Sequence, residues 1–82
     1  MRIDKFLKVS RIIKRRTVAS EACSAGRVVI NGRVCKSASE VKKGDIVEIT
    51  FGQRHITLRV EELREHVLKD DAPLLYTVLE NN

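Results

Sequence analysis

Apolar positions in the first nine residues recur at helical spacing. In "RIDKFLKV", Ile3, Phe6 and Leu7 fall at i, i+3 and i+4, which marks one face of an α-helix. At 100° per residue, Asp4, Lys5 and Lys8 fall on the opposite side. Asp4 and Lys8 stand four apart in acid-first order, a pairing worth about 0.3 kcal/mol on a helix surface. A second helical pattern runs through "VASEACSA". Ala19, Ala22 and Cys23 share a face with Val18 beside them, and their small side chains allow close packing. Thr17 is placed to cap this helix through its hydroxyl, and Gly26 to end it in the left-handed conformation. Ser10 to Arg16 is read as a connector between the two helices.

The period then changes from helical to alternating. In "RVVINGRVCK", two apolar runs flank Asn31-Gly32, the pair best suited to a two-residue hairpin turn with positive φ at both positions. "VKKGDIVEITF" opens on a turn and places Val47, Ile49 and Phe51 on one face. After "GQR", Ile56, Leu58 and Val60 alternate with Thr57 and Arg59, which predicts a second hairpin. Glu61 to Asp71 is polar and reads as a loop. "DAPLLYTVLE" fits two assignments. Pro73 suits the first turn of a helix whose face would carry Leu74, Leu75, Val78 and Leu79, whereas "LLYTVL" also suits a strand. The short helix is the preferred reading for residues 72–79. Helices that precede strands imply an α+β fold, with two N-terminal helices packed on a small, mostly antiparallel sheet and a short C-terminal element.

The chain has 82 residues, so one small domain with a modest aliphatic core is expected. Charge changes the picture more than length does. Ten of the sixteen Lys and Arg residues lie in residues 1–36, with only two acids, Asp4 and Glu21. That part carries +8, and residues 37–82 carry −3. Such segregation points to a cationic face that meets a polyanion. No apolar run approaches the roughly 18 residues of a membrane-spanning helix, and the N-terminus lacks the apolar stretch of a signal peptide. A cytoplasmic protein without membrane contact is therefore expected. Cys23 and Cys35 match no zinc spacing with His55 and His66 and are read as small apolar residues.

No catalytic set is visible. The glycines are scattered at turns, His55 is read in a hairpin turn and His66 in a polar loop, and Cys23 lies on a packing face. Neither enzymatic activity nor a cofactor is expected. Binding is the positive signal. Lys5, Lys8, Arg11, Lys14, Arg15 and Arg16 come from the first helix and the connector, and Arg27 and Lys36 can join the same face. Arginine forks suit phosphate oxygens, and release of counterions from several phosphates gives salt-dependent affinity. With one Tyr, two Phe and no Trp, base stacking is a poor route, so shape and backbone recognition of folded RNA fits best. The connector reads as too cationic for the packed turn of a helix-turn-helix.

Three signatures in order, "RIDKFL", "RRTVASEACSAGRVVING" and "VKKGD", resemble the S4 RNA-binding domain, also called the alpha-L RNA-binding motif. They cover about residues 1–50. The whole chain looks like the stand-alone members of that family: the RqcP-type factors of ribosome-associated quality control and a heat-shock ribosome-recycling branch. Its short length, "KVSRIIKRRT" and the lack of a long basic C-terminal extension favour the first. The resemblance implies a single domain over residues 1–82, with a core at 1–60 and a family-specific extension at 61–82. It implies partners as well: 23S ribosomal RNA and P-site peptidyl-tRNA on the large ribosomal subunit, and an RqcH-type factor that adds alanine tails. The free protein is expected to be a monomer. A recycling factor of heat-shock type, or an RNA-targeting module of an RNA-modifying enzyme, are the alternatives.

In the family, the two helices and the hairpin turn form the RNA face. Residue by residue, this carries over to Arg2, Asp4, Lys5, Lys8, Arg11, Lys14, Arg15, Arg16, Thr17, Arg27, Asn31, Gly32 and Lys36. Arg2, Lys5, Arg11, Lys14, Arg15 and Arg16 are the leading phosphate contacts. Asp4 either orients a neighbouring cation or makes a polar RNA contact. Thr17 serves as a cap, and Asn31-Gly32 brings backbone close to RNA. The family's usual proline before "VKKGD" is replaced by "SAS".

Overall fold

The computed structural model describes all 82 residues. Two helices, α1 (Ile3–Val9) and α2 (Arg16–Ser24), precede strands β1 (Val28–Ile30), β2 (Arg33–Val34), β3 (Ile46–Phe51) and β4 (Arg54–Val60). A 3-10 helix (Lys69–Leu75) then leads into β5 (Tyr76–Asn81). The strands form one antiparallel sheet in the order β2-β1-β3-β4-β5. The fold is α+β, as the change of period predicts.

The helices bury the faces that the spacing marks. Ile3, Phe6 and Leu7 of α1 and Ala19 and Cys23 of α2 meet Val28, Val47, Ile49, Leu58 and Val60 of the sheet and Leu75 in a single core. Full burial of the Phe, Ile, Leu and Val side chains among them stabilises by about 1.5–3 kcal/mol each. Gly26 ends α2 at φ 75. Its N–H reaches the Cys23 carbonyl and the Arg27 N–H reaches the Ala22 carbonyl, the paired bonds of a Schellman ending. Asn31 and Gly32 both hold positive φ, at 50 and 84, as a type I′ turn requires.

Some local expectations need correction. Asp4 lies on no exposed face: it is only 3% exposed and does not pair with Lys8. Thr17 does not cap α2. The helix begins at Arg16, two residues earlier than a Thr17 cap would set it, Arg15 is the extended residue before it, and no side chain caps it. The connector is packed despite its charge, because Ser10 and Ile13 are buried while Arg11, Lys14 and Arg15 face outward. His55 lies in β4 and not in a turn. The preferred C-terminal helix is replaced over Tyr76–Asn81 by a strand. Pro73 and Leu75 do sit in a helical turn, but β4 offers an open edge, and β5 fills it with one bulge opposite Thr57 and Leu58.

The "SAS" segment has a definite task. Lys36 to Ser39 closes a turn, in which the Ser39 Oγ accepts from the Lys36 N–H at 2.9 Å. From that turn, the carbonyls of Ser39 and Ser37 accept the N–H groups of Ile3 and Asp4 at 2.8 and 3.3 Å. A distant loop thus satisfies the first orphan donors of α1, for which no side-chain cap exists.

Candidate nucleic-acid interface

The N-terminal halves of α1 and α2 are joined through one carboxylate. Arg2 grips Asp4 with two parallel bonds, Nε to Oδ1 at 3.2 Å and Nη2 to Oδ2 at 3.0 Å. From the start of α2, the Arg16 Nη2 donates to the same Oδ1 at 3.4 Å. The carboxylate is sealed, while both guanidinium side chains remain nearly half exposed, at 48% and 46%. Each guanidinium carries five N–H donors, so Arg2 and Arg16 keep donors free for an outside acceptor. Asp4 therefore acts as an orienting group for two cations.

Further cations stand at the end of α1 and in the connector. Lys8, Arg11, Lys14 and Arg15 are exposed and make no ion pair or side-chain hydrogen bond. Arg11 follows α1 in the left-handed region at φ 63, a position that glycine favours and that costs a side-chain-bearing residue about 1 kcal/mol. The first turn of α2 contains no acid, so its free N–H groups add positive potential to the same surface. Thr17 lies exposed in that turn.

Other predicted residues take different places. Lys5 is committed to Glu65 in an ion pair that ties α1 to the loop after β4. The Asn31 side chain, though exposed, is engaged within the protein: its Nδ2 donates to the Asp45 Oδ1 at 3.0 Å, and its Oδ1 accepts the Ile46 N–H at 2.9 Å. It locks the hairpin to β3, which leaves Gly32 as the exposed backbone of the turn. Lys36 and Gly26 line a shallow hollow of about 500 Å³ above Cys23 and Cys35, and Arg27 is exposed beside Gly26. The structure thus brings Arg2 and Arg16 together at Asp4 and Lys8, Arg11 and Lys14 together in one cleft, while Lys36 lines a separate hollow and Arg27 and Gly32 are exposed elsewhere.

The sequence reading leaves out two residues, His66 and Lys69. They share a cleft with Lys8, Arg11 and Lys14. Their segment is acidic overall, so net charge per segment conceals them, and only the fold of the loop back against α1 brings them into place. Burial pushes the Cys23 thiol up to about 12, with Cys35 beside it adding to the shift, and burial raises Cys35 as well. Both are neutral, packed thiols. No group of three or more potential metal-ligating side chains is present.

These features define a small α+β module that presents an organised cationic face from two helices above an antiparallel sheet. The S4 domain family model matches residues 1–47, and the chain belongs to that family. It is 51% identical over 79 residues to the "RQC P-site tRNA stabilizing factor" of Bacillus subtilis, which covers 96% of this chain and 92% of that one. The protein of the same name from Halalkalibacterium halodurans is 51% identical over 78 residues, 95% of this chain and 89% of the relative. A "Heat shock protein 15 homolog" of Aeromonas salmonicida is 30% identical over 98% of this chain and 59% of its own length. Among solved structures, the trimeric Heat Shock Protein 15 of Vibrio cholerae superposes with a TM-score of 0.88 at 26% identity, covering 95% of this chain and 80% of that one.

Proposed function

We propose that this protein is a non-catalytic RNA-binding factor of ribosome-associated quality control. In this reading it acts in the cytoplasm on large ribosomal subunits that retain peptidyl-tRNA. It contacts 23S ribosomal RNA and the P-site tRNA, and it supports alanine tailing of the stalled chain by an RqcH-type factor. The free protein is a monomer. Residues 1–60 form the binding core and 61–82 the extension particular to this branch.

The observation that carries the reading is the Asp4-organised pair Arg2 and Arg16, with the unpaired cations Lys8, Arg11, Lys14 and Arg15 between them in the chain. It occurs in a chain that matches the named P-site tRNA stabilizing factors over nearly its whole length. Exposed cations of fixed direction suit a folded RNA backbone, whose phosphates lie at fixed spacings. A recycling factor of heat-shock type is the second reading, and the likeness to the Vibrio cholerae structure favours it.

One experiment separates them. Ribosomal complexes are isolated after translational stalling from cells with and without the gene. Co-purification with large subunits bearing peptidyl-tRNA, together with shorter alanine tails in the deletion strain, is the expected result. Unchanged tails would overturn the tailing role, and absence from large subunits would overturn both readings. In vitro, Arg15→Ala and Arg16→Ala should each weaken RNA binding and reduce its salt dependence by about one counterion.

A further inference from the structure

The cleft beside the connector has an unusual lining. It encloses about 560 Å³ between α1 with its connector and the loop that follows β4. Lys8, Arg11 and Lys14 form one wall, and His66 and Lys69 the other. Val9 and Val67, both half-buried, complete the lining. None of the five polar side chains is engaged in an ion pair or a side-chain hydrogen bond. Glu65, the acid next to His66, is held by Lys5, and no carboxylate lines the cleft. Arg11 keeps its strained backbone at the mouth.

Cationic side chains normally find a partner or spread apart. Here five groups that are cationic or can become so converge from two distant stretches of chain with no acid among them, which lowers the cost of bringing in an anion. A single inorganic anion would leave much of the space empty and the valines unused. A nucleotide uses both: its phosphate meets the cations, and its sugar or base covers the apolar part. Unpaired nucleotides in RNA loops can be splayed out in this way.

We infer that this cleft is a second RNA-binding site, one that takes a single nucleotide of an unpaired RNA loop, with His66 and Lys69 as its contacts from the C-terminal half. The inference rests on the RNA-binding reading above and adds a role for the otherwise acidic half of the chain.

The test uses the full chain, labelled for observation of its two histidine rings, and titrates it with a hairpin RNA that has an unpaired loop. His55 is the internal control, because it lies on β4 between Thr50 and Glu48, outside the cleft. The His66 ring signals should move on binding and those of His55 should not. Lys69→Ala should weaken binding about fivefold at about 0.1 M salt and lower the salt slope by about one, and Lys69→Arg should restore both. Both side chains are exposed, so these variants fold. If His66 stays still, or Lys69→Ala binds like the parent while Arg16→Ala binds weakly, the cleft is not an RNA site although the parent reading stands. If the unmodified protein binds no RNA, both fall. If inorganic phosphate or adenosine 5′-monophosphate moves His66 as strongly as the hairpin does, the RNA assignment is overturned in favour of a free-anion site.

Discussion

Asp4 and Arg16 stand twelve residues apart in the chain and meet at the junction of the two helices, with the Arg16 Nη2 3.4 Å from the Asp4 Oδ1. Arg2 closes the other side of the same carboxylate. This arrangement separates two effects that usually coincide. Removal of an acid raises net charge and should strengthen binding to any polyanion by long-range attraction. Loss of the orienting carboxylate should instead weaken binding to structured RNA. Asp4→Asn is expected to weaken it, in spite of its extra unit of positive charge. Because the carboxylate is buried while both partners are half exposed, the stability loss should be about 1–2 kcal/mol. Filter binding and urea denaturation of the same variant check both parts. Tighter RNA binding would show that Asp4 does not position Arg2 and Arg16.

Arg11 separates stability from binding in the opposite direction. Its φ of 63 suits glycine, and its side chain makes no ion pair or hydrogen bond that would offset the strain. Arg11→Gly should therefore stabilise the fold by about 0.5–1 kcal/mol, since relief of the left-handed strain exceeds the added freedom of the unfolded chain. The same substitution should weaken RNA binding and lower the salt slope by about one counterion. Denaturation midpoints beside salt-dependent affinities test this. A variant both less stable and unchanged in binding would contradict both halves.

Cys23 and Cys35 are buried and unpaired as a disulfide. With the Cys23 thiol raised to about 12 and Cys35 raised by its own burial, little thiolate is available to react at pH 8. A thiol-reactive reagent should label both only as fast as the protein opens, and rapidly once urea unfolds it. The neutral thiols favour the folded state. This advantage is complete below the usual value of 9.0 and shrinks as pH rises above it, so stability should decline in alkali. Fast labelling of the native protein would contradict the packing described.

How far the sequence disclosed this fold depended on the range of each interaction. The α1 stripe, the Gly26 ending and the Asn31-Gly32 turn are set by residues within a turn of one another, and all three were legible. The burial of Asp4 was not, because its partner Arg16 lies on another helix and its N–H is satisfied by Ser37. The start of α2 was misjudged because Thr17 has the right chemistry for a cap, while Arg15 takes the extended conformation. The last strand was one of two readings that "LLYTVL" allowed, and the free edge of β4, which lies outside that pattern, decides for it. The cations of α1 and its connector were legible as a run of charge. His66 and Lys69 were not, since acids surround them in the sequence and only the return of their loop removes those acids from the cleft.

That loop is tied to α1 by the Lys5–Glu65 pair, and acid should release it together with two other carboxylate pairs. Glu65 is held below its usual value of 4.5 by its hydrogen bond to Lys5. Glu40 is lowered by its bond to the N-terminal amine, and Glu61 by the Thr77 hydroxyl and Arg59. A carboxylate with a depressed folded-state pKa stabilises the fold above its unfolded value and loses that contribution as pH falls through the lower one. The contribution of these three groups should thus be constant from pH 8 to about pH 5 and decrease below 4.5. Glu40 and Glu65 are exposed and Glu61 is partly so, so added salt should reduce it at every pH. Glu65→Gln removes one of the three and also the tie between α1 and the loop. The variant should show a smaller loss of stability between pH 6 and pH 3 than the parent. At neutral pH, the backbone amides of residues 64–68 should exchange with solvent faster than in the parent, with the β3 and β4 amides unchanged. Unaltered exchange in 64–68 would mean that packing of Leu63 and Val67 against the core, and not the Lys5 pair, holds the loop beside α1.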